Sequence, residues 1–223
     1  VTGGVVGSVD AGGRGAVRSW SVVVPAKRLG VAKTRLRAVT RGEAAHAELV
    51  LALLADTVSA ALASPVVGAV IVVTDDAAAA AAVRGLGARI VPDEPDRGLN
   101  PALEHGARSA GVQAVAALSS DLPALRTEQL TAALAAAGSA ARCFVADALG
   151  TGTTLLTAVG TALRPHFGRE SAAAHRADGA VELDGPWPGL RRDVDTAADL
   201  HAALALGAGP RTTALAIHLG AAR

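Results

Sequence analysis

The stretch Trp20-Ser21-Val22-Val23-Val24-Pro25-Ala26-Lys27-Arg28-Leu29-Gly30-Val31-Ala32-Lys33-Thr34-Arg35-Leu36 joins an apolar, β-branched run to a short basic segment. An apolar run of this kind reads as a strand, and the basic segment then lies at its carboxyl end. That edge is where open α/β sheets bind ligands. Lys27 and Lys33 are the only lysines in the chain; nineteen of its twenty-one basic residues are arginine. A composition that has turned nearly every lysine into arginine leaves lysine where a compact ammonium serves better than a planar guanidinium. The segment therefore reads as a phosphate site, against the plain alternative of two lysines left by chance in a solvated loop.

Outward from this stretch the chain alternates strand and helix. Arg41 to Ala63 is Ala/Leu-rich and predicts a long helix; Val66 to Val73 is a β-branched run ending at Thr74-Asp75-Asp76, a polar strand end and helix cap. Helix is predicted for Ala77 to Leu86, from Asn100 or Pro101 onward, for Thr127 to Ala137 and for Thr196 to Leu206. Strands are predicted at Ala88 to Val91 and Ala114 to Leu118, with two further short runs at Cys143 to Ala146 and Thr153 to Thr157. This alternation implies an α/β fold with a mostly parallel sheet covered on both faces, carrying a mixed extension after Cys143. Residues 1–19 are Gly-rich and lack a basic start followed by an apolar core, so a disordered leader is expected ahead of one domain over 20–223.

Composition removes several classes of function. A formal net charge of +1 gives no global field for nucleic acid or an anionic membrane, and two Trp, two Phe and no Tyr leave little for base stacking. The single Cys143 excludes an internal disulfide and fits a reducing, cytoplasmic setting; its apolar surroundings predict a buried structural thiol. Val66 to Val73 is too short to span a bilayer as a helix. The six histidines show no zinc-type pairing. His166 and His175 fall near a Gly168 turn and could touch a substrate, whereas helix-surface roles are expected of the other four.

Chemistry concentrates in a few segments. Asp121, in Ser119-Ser120-Asp121-Leu122-Pro123, stands at a strand end on the same sheet edge as the lysines. It is placed to ligate a hard cation such as Mg²⁺, or simply to open a turn. Asp193 and Asp195 alternate about Val194, so that in extended chain both face one side; one could ligate metal while the other caps a helix, or both could pair with Arg191 and Arg192. Asp147-Ala148-Leu149-Gly150-Thr151-Gly152-Thr153-Thr154 offers backbone amides and threonine hydroxyls to an anion but lacks the Gly-Lys-Ser/Thr ending of a P-loop. Gly168 and Ser171 sit at the start of a short helix, where free amides accept anions.

In this order, Pro25 and Lys27 with Ala32-Lys33-Thr34-Arg35-Leu36, Ser120-Asp121-Leu122-Pro123, Leu149-Gly150-Thr151-Gly152-Thr153-Thr154, His166-Phe167-Gly168 with Ser171 and His175, and Asp193-Val194-Asp195-Thr196 with Asp199-Leu200 resemble one family. It is that of the phosphoenolpyruvate / 2-phospho-L-lactate guanylyltransferases of deazaflavin coenzyme F-420 biosynthesis, and the resemblance runs from Trp20 to Gly207. It implies a Rossmann-like, glycosyltransferase-A-like nucleotidyltransferase fold with three α/β/α layers. It implies that Asp121 and Asp193 hold Mg²⁺ and act with Lys27 in catalysis. Lys27, Thr153, Gly168 and Ser171 would hold phosphoenolpyruvate. Lys33 and Arg35 would take the triphosphate of GTP, with Gly98 and Asn100 also near the nucleotide. The alternative acceptor is 2-phospho-L-lactate, and the downstream deazaflavin transferase is a possible recipient of the product. Two more distant readings are a molybdenum-cofactor-type nucleotidyltransferase and a non-catalytic nucleotide-binding module.

Overall fold

A computed structural model describes residues 19–26, 33–40, 42–94 and 96–220. Lys27 and nearly all of the expected leader lie outside the described residues. Seven strands form one sheet in the order β3-β2-β1-β4-β6-β5-β7. β1 (Trp20–Pro25) pairs in parallel with β2 (Val67–Val73) and β4 (Ala114–Leu118), and β2 with β3 (Arg89–Val91). β6 (Thr153–Val159) runs antiparallel to both β4 and β5 (Arg142–Ala146), and the two-residue β7 (Val181–Glu182) is parallel to β5. The expected mixed extension is therefore one reversed strand set into a parallel sheet.

β1 shows how the layers arise. Its side chains alternate across the sheet. Trp20, Val22 and Val24 enter a core with Leu54 and Val58 of α1 (Glu43–Leu62) and with Leu130 and Leu134 of α4 (Thr127–Ala137). Val23 enters the opposite core, with Ala102 and Leu103 of α3 (Leu99–Ala110) and Ala172 of α5 (Ser171–Ala177). The result is the three-layer α/β/α arrangement expected from the sequence. α3 lies so close to the sheet that a Cβ on Gly106 would stand 2.5 Å from Val23 Cγ1 and 2.7 Å from Val73 Cγ2.

α2 (Ala77–Gly85) starts where the sequence places a cap, with the Asp76 side chain accepting from the Ala78 and Ala79 amides. α7 (Ala197–Ala205) is capped by Thr196 in a reciprocal box with Asp199, which leaves Asp195 free for another role. α6 (Pro188–Arg191), β7 and α8 (Pro210–His218) were not anticipated. The Gly207-Ala208-Gly209-Pro210 run resembles a terminus, yet Pro210 occupies the first helical turn, where its missing N–H is harmless. Asp56 of α1 secures that start by accepting from the Arg211 and Thr212 amides at 3.3 and 2.8 Å. α1 is long and apolar enough to cross a membrane by length and composition, but it packs against the sheet and other helices with His46, Asp56 and Thr57 among its buried residues. His46 thus differs from the surface role expected of it. Cys143 is fully buried and free, as expected, and burial raises its thiol pKa.

Candidate active site

β2 and β3 lie on one side of β1, and β4 lies on the other. The direction of chain progression reverses there, which opens a crevice at the carboxyl ends of β1 and β4. A cavity of about 810 Å³ occupies it, lined by Pro25 and Ala26 after β1, Ser119 to Asp121 after β4, the loop from Asp147 to Thr153, the segment Phe167 to Ser171, and Asp193 and Asp195. Backbone bonds bring the distant segments together: the Val194 amide donates to the Asp121 carbonyl at 3.1 Å. The Leu122 amide donates to the buried hydroxyl of Thr57 at 2.9 Å, which fixes the turn that carries Asp121. Asp121 and Asp193, far apart in the chain, therefore meet on one wall.

Lys33 is the cation of that wall. Its backbone sits in the left-handed region, at φ 53° and ψ 41°, just before a 3-10 turn over Thr34–Ala38. Its ammonium bonds the Asp121 carboxylate and also Asp195 Oδ1, the latter at 2.5 Å. Burial alone lowers a lysine pKa, but the charges of Asp121 and Asp195 reverse that and hold this ammonium above its ordinary value. Asp193 receives less. Burial, followed by the charges of Asp121 and Asp195, pushes its carboxyl up to about 7, and the nearby Lys33 only partly offsets them. Arg191 pairs with Asp184 and Arg192 with Asp199, so the adjacent arginines neutralise neither Asp193 nor Asp195.

The rest of the lining sets the uncharged Thr153, Gly168 and Ser171 beside Asp147, Arg169 and Glu170. Thr153, at the start of β6, is buried, and its Oγ1 lies 2.9 Å from His175 Nδ1. The other ring nitrogen of His175 accepts from the His166 amide at 2.8 Å. One residue on, the Phe167 amide donates to Asn100 Oδ1 at 2.8 Å while Asn100 Nδ2 donates to the Phe167 carbonyl at 3.1 Å. The turn into α5 is thereby gripped from two sides. Gly168 follows with φ +134°, a conformation that side-chain-bearing residues rarely adopt, and Ser171 is buried at the helix start.

The residues expected at the site divide accordingly. Asp121, Asp193, Lys33, Arg35, Thr153, Gly168 and Ser171 all line the cavity. Lys33 is bound there to two carboxylates. Leu99 lines the cavity, whereas Gly98 and Asn100 do not, and the Asn100 carboxamide is engaged by the Phe167 backbone. Asp195 gains a partner in Lys33 that the capping alternative did not foresee. Asp147 was passed over as a side chain. It is buried, lines the cavity, and its Oδ1 accepts from the Leu149 and Thr151 amides at 3.1 and 2.9 Å, shaping the Gly/Thr loop. An Asp opening a Gly-rich turn is the signal that could have found it.

The donor set suits a hard divalent ion. Among the described residues no group of three or more His, Cys, Asp or Glu forms a ready cage. Mg²⁺, however, binds through one or two carboxylates and completes its shell with water and substrate phosphate. Asp121 and Asp193 supply that number, both at the cavity lining.

The sheet order and the crevice define a Rossmann-like α/β fold with its ligand edge at the carboxyl ends of β1 and β4. Among solved structures, a nucleotidyl transferase from Methanothermobacter superposes with TM-score 0.59 at 21% identity, covering 84% of this chain and 97% of that one. A Desulfovibrio desulfuricans G20 protein, provisionally described as a nucleotide-diphospho-sugar transferase, gives TM-score 0.67 at 17% identity over 92% and 96%. These likenesses concern the fold. The chain belongs to the guanylyl transferase CofC-like family, whose model matches residues 20–180. A phosphoenolpyruvate guanylyltransferase from Geodermatophilus obscurus is 70% identical over 204 residues, 90% of this chain and 95% of the relative. One from Salinispora arenicola is 57% identical over 199 residues, 88% and 92% respectively.

Proposed function

We propose that this chain joins GTP to phosphoenolpyruvate, giving enolpyruvoyl-2-diphospho-5'-guanosine and pyrophosphate, as a step in assembling the deazaflavin coenzyme F-420. The observation that carries this reading is near-full-length identity of 70% and 57% to relatives named phosphoenolpyruvate guanylyltransferase. A phosphate oxygen of phosphoenolpyruvate attacks the α-phosphorus of GTP; the bond to the β,γ-pyrophosphate breaks, and pyrophosphate leaves with the electron pair. The nucleophile is already an anion, so no proton has to be removed. The engagement of both His175 ring nitrogens within the protein fits a site without a histidine base.

Two polyanions must approach each other, and their repulsion is a principal part of the barrier. Asp121 and Asp193 would hold Mg²⁺, which when bound supplies charge neutralisation between the phosphates. Lys27 would orient the attacking phosphate, and the exposed Arg35 stands at the cavity to meet the triphosphate. Thr153, Gly168 and Ser171 would fix the acceptor through uncharged donors. The product then passes to the transferase that consumes it, in the cytoplasm.

Pyrophosphate release tests this directly, crossing four nucleoside triphosphates with phosphoenolpyruvate, 2-phospho-L-lactate and 3-phosphoglycerate, with the downstream transferase and its deazaflavin acceptor present to trap product. Release is expected with GTP and phosphoenolpyruvate and to depend on Mg²⁺. Preference for 2-phospho-L-lactate would correct the acceptor, and no release with any pair would refute the enzyme reading.

A further inference from the structure

His175 stands outside the cavity lining, yet both of its ring nitrogens are committed, and the order of commitment carries information. The His166 amide can only donate, so the Nε2 it meets must be a bare acceptor. A neutral imidazole then carries its one proton on Nδ1, and Nδ1 faces Thr153 Oγ1 at 2.9 Å. The Ser171 backbone is a second acceptor for that proton, and a protonated Nδ1 offers Thr153 no lone pair, so the hydroxyl's own proton is turned elsewhere. Thr153 lines the cavity and has His175 as its hydrogen-bond partner for Oγ1 among the described residues. The ring itself is 1% exposed and is enclosed by Phe144, Phe167 and His166, with ring centroids at 5.8, 5.4 and 5.6 Å, so water cannot readily replace it in this arrangement.

We propose that His175 is a positioning residue that fixes the polarity of the Thr153 hydroxyl, making it an obligatory donor to the anionic acceptor in the cavity. A threonine hydroxyl left alone rotates and can present either its proton or its lone pairs. A lone pair turned toward a carboxylate or phosphate repels it. Locked by Nδ1–H, the hydroxyl meets an anion only with hydrogen. This inference rests on the reading of Thr153 as an acceptor-binding residue.

Two substitutions separate positioning from simple support of the loop. In His175→Gln the side-chain oxygen reaches the Nε2 position and can still accept from the His166 amide, but nothing donates to Thr153. In His175→Asn the amide nitrogen falls near the Nδ1 position and can still donate to Thr153, but the His166 amide loses its acceptor. Steady-state kinetics with separate variation of GTP and phosphoenolpyruvate should show His175→Gln raising the phosphoenolpyruvate KM roughly ten- to a hundredfold, the scale of one hydrogen bond to a charged group. The KM for GTP should stay within about twofold, and His175→Asn should recover most of the loss. In a Thr153→Val background His175→Gln should add nothing further, because the two residues act as one unit. Asn as impaired as Gln, or equal losses for both substrates, would overturn the inference in favour of loop support. Long-range ¹H–¹⁵N spectra of the wild-type protein need no variant: the Nδ1–H tautomer is expected for His175, and the Nε2–H tautomer would sink this inference alone. A wild type that releases no pyrophosphate would instead remove the functional reading beneath it.

Discussion

Acidification should destabilise this protein through His175 by an amount that can be worked out in advance. Burial, then the charge of His166, lowers the ring pKa from an ordinary 6.5 to about 4; Asp178 opposes this, and Arg142 adds to it. With the side chain only 1% exposed, solvent screening takes little from the effect. The native state resists the proton and the unfolded chain accepts it. The contribution to stability is therefore complete above pH 6.5 and is lost progressively as pH falls toward 4. At 1.36 kcal/mol for each pH unit between 6.5 and 4, the full loss is about 3 kcal/mol. Carboxylates also titrate over this range, so the measurement is a difference. Urea unfolding of wild type and His175→Gln is followed from pH 7.5 to 4.5, Gln having no proton to gain. Whatever advantage the wild type holds at pH 7.5 should shrink by about 2.5 kcal/mol at pH 4.5, most of the full loss. A difference that stays constant across that window would refute both the neutral ring and the enclosure that enforces it.

Three further outcomes are expected. Asp121→Asn should keep the native circular dichroism spectrum and lower pyrophosphate release at least ~10²-fold, the scale of one lost electrostatic contact; near-normal turnover would remove Asp121 from the chemistry. Lys27→Arg keeps the charge and changes its shape, so activity should not be rescued if a compact ammonium is needed; full activity would reduce the surviving lysines to coincidence. Gly106→Ala brings a methyl against Val23 and Val73, and overpacking of roughly 1–3 kcal/mol should outweigh the about 1 kcal/mol gained in helix propensity. A raised melting temperature would show that α3 can lift from the sheet at little cost.

Much of this arrangement was legible because period and punctuation agreed. Val22 to Val24 and Val70 to Val73 are β-branched runs closed by polar turns, and each became a central strand within two residues of its expected limits. Asp76 and Thr196 announced their helices by the chemistry of their side chains. α8 escaped because nothing local specifies it. Its anchor is Asp56, more than 150 residues earlier, and no window on the sequence contains both. The same holds within the site. Motif order brought Asp121 and Asp193 together, but the partnership of Lys33 with Asp121 and Asp195 is a tertiary fact. Asn100 shows the converse: a polar residue at the right edge of the sheet is used to hold the Phe167 backbone, and residue type alone does not distinguish those duties.

An acidic wall is an odd receptor for two polyanions until the cavity is divided by sign. Asp121, Asp193 and Asp195 repel phosphate; what they attract is cations, and one ammonium is already drawn between two of them. Burial, and then the charges of Asp121 and Asp195, still hold the Asp193 carboxyl raised beside that ammonium. Any anion held directly by protein is met instead by the uncharged Thr153, Gly168 and Ser171 and by the two arginines of the lining, Arg35 and Arg169. On the proposed reading, the two reactants are held by different physics: one through cations gathered on carboxylates, the other through fixed dipoles. Fixed dipoles act only if they cannot turn. His175 lies beneath Thr153, and Asn100 grips the segment leading to Gly168, so that these uncharged donors meet an anion in a fixed orientation.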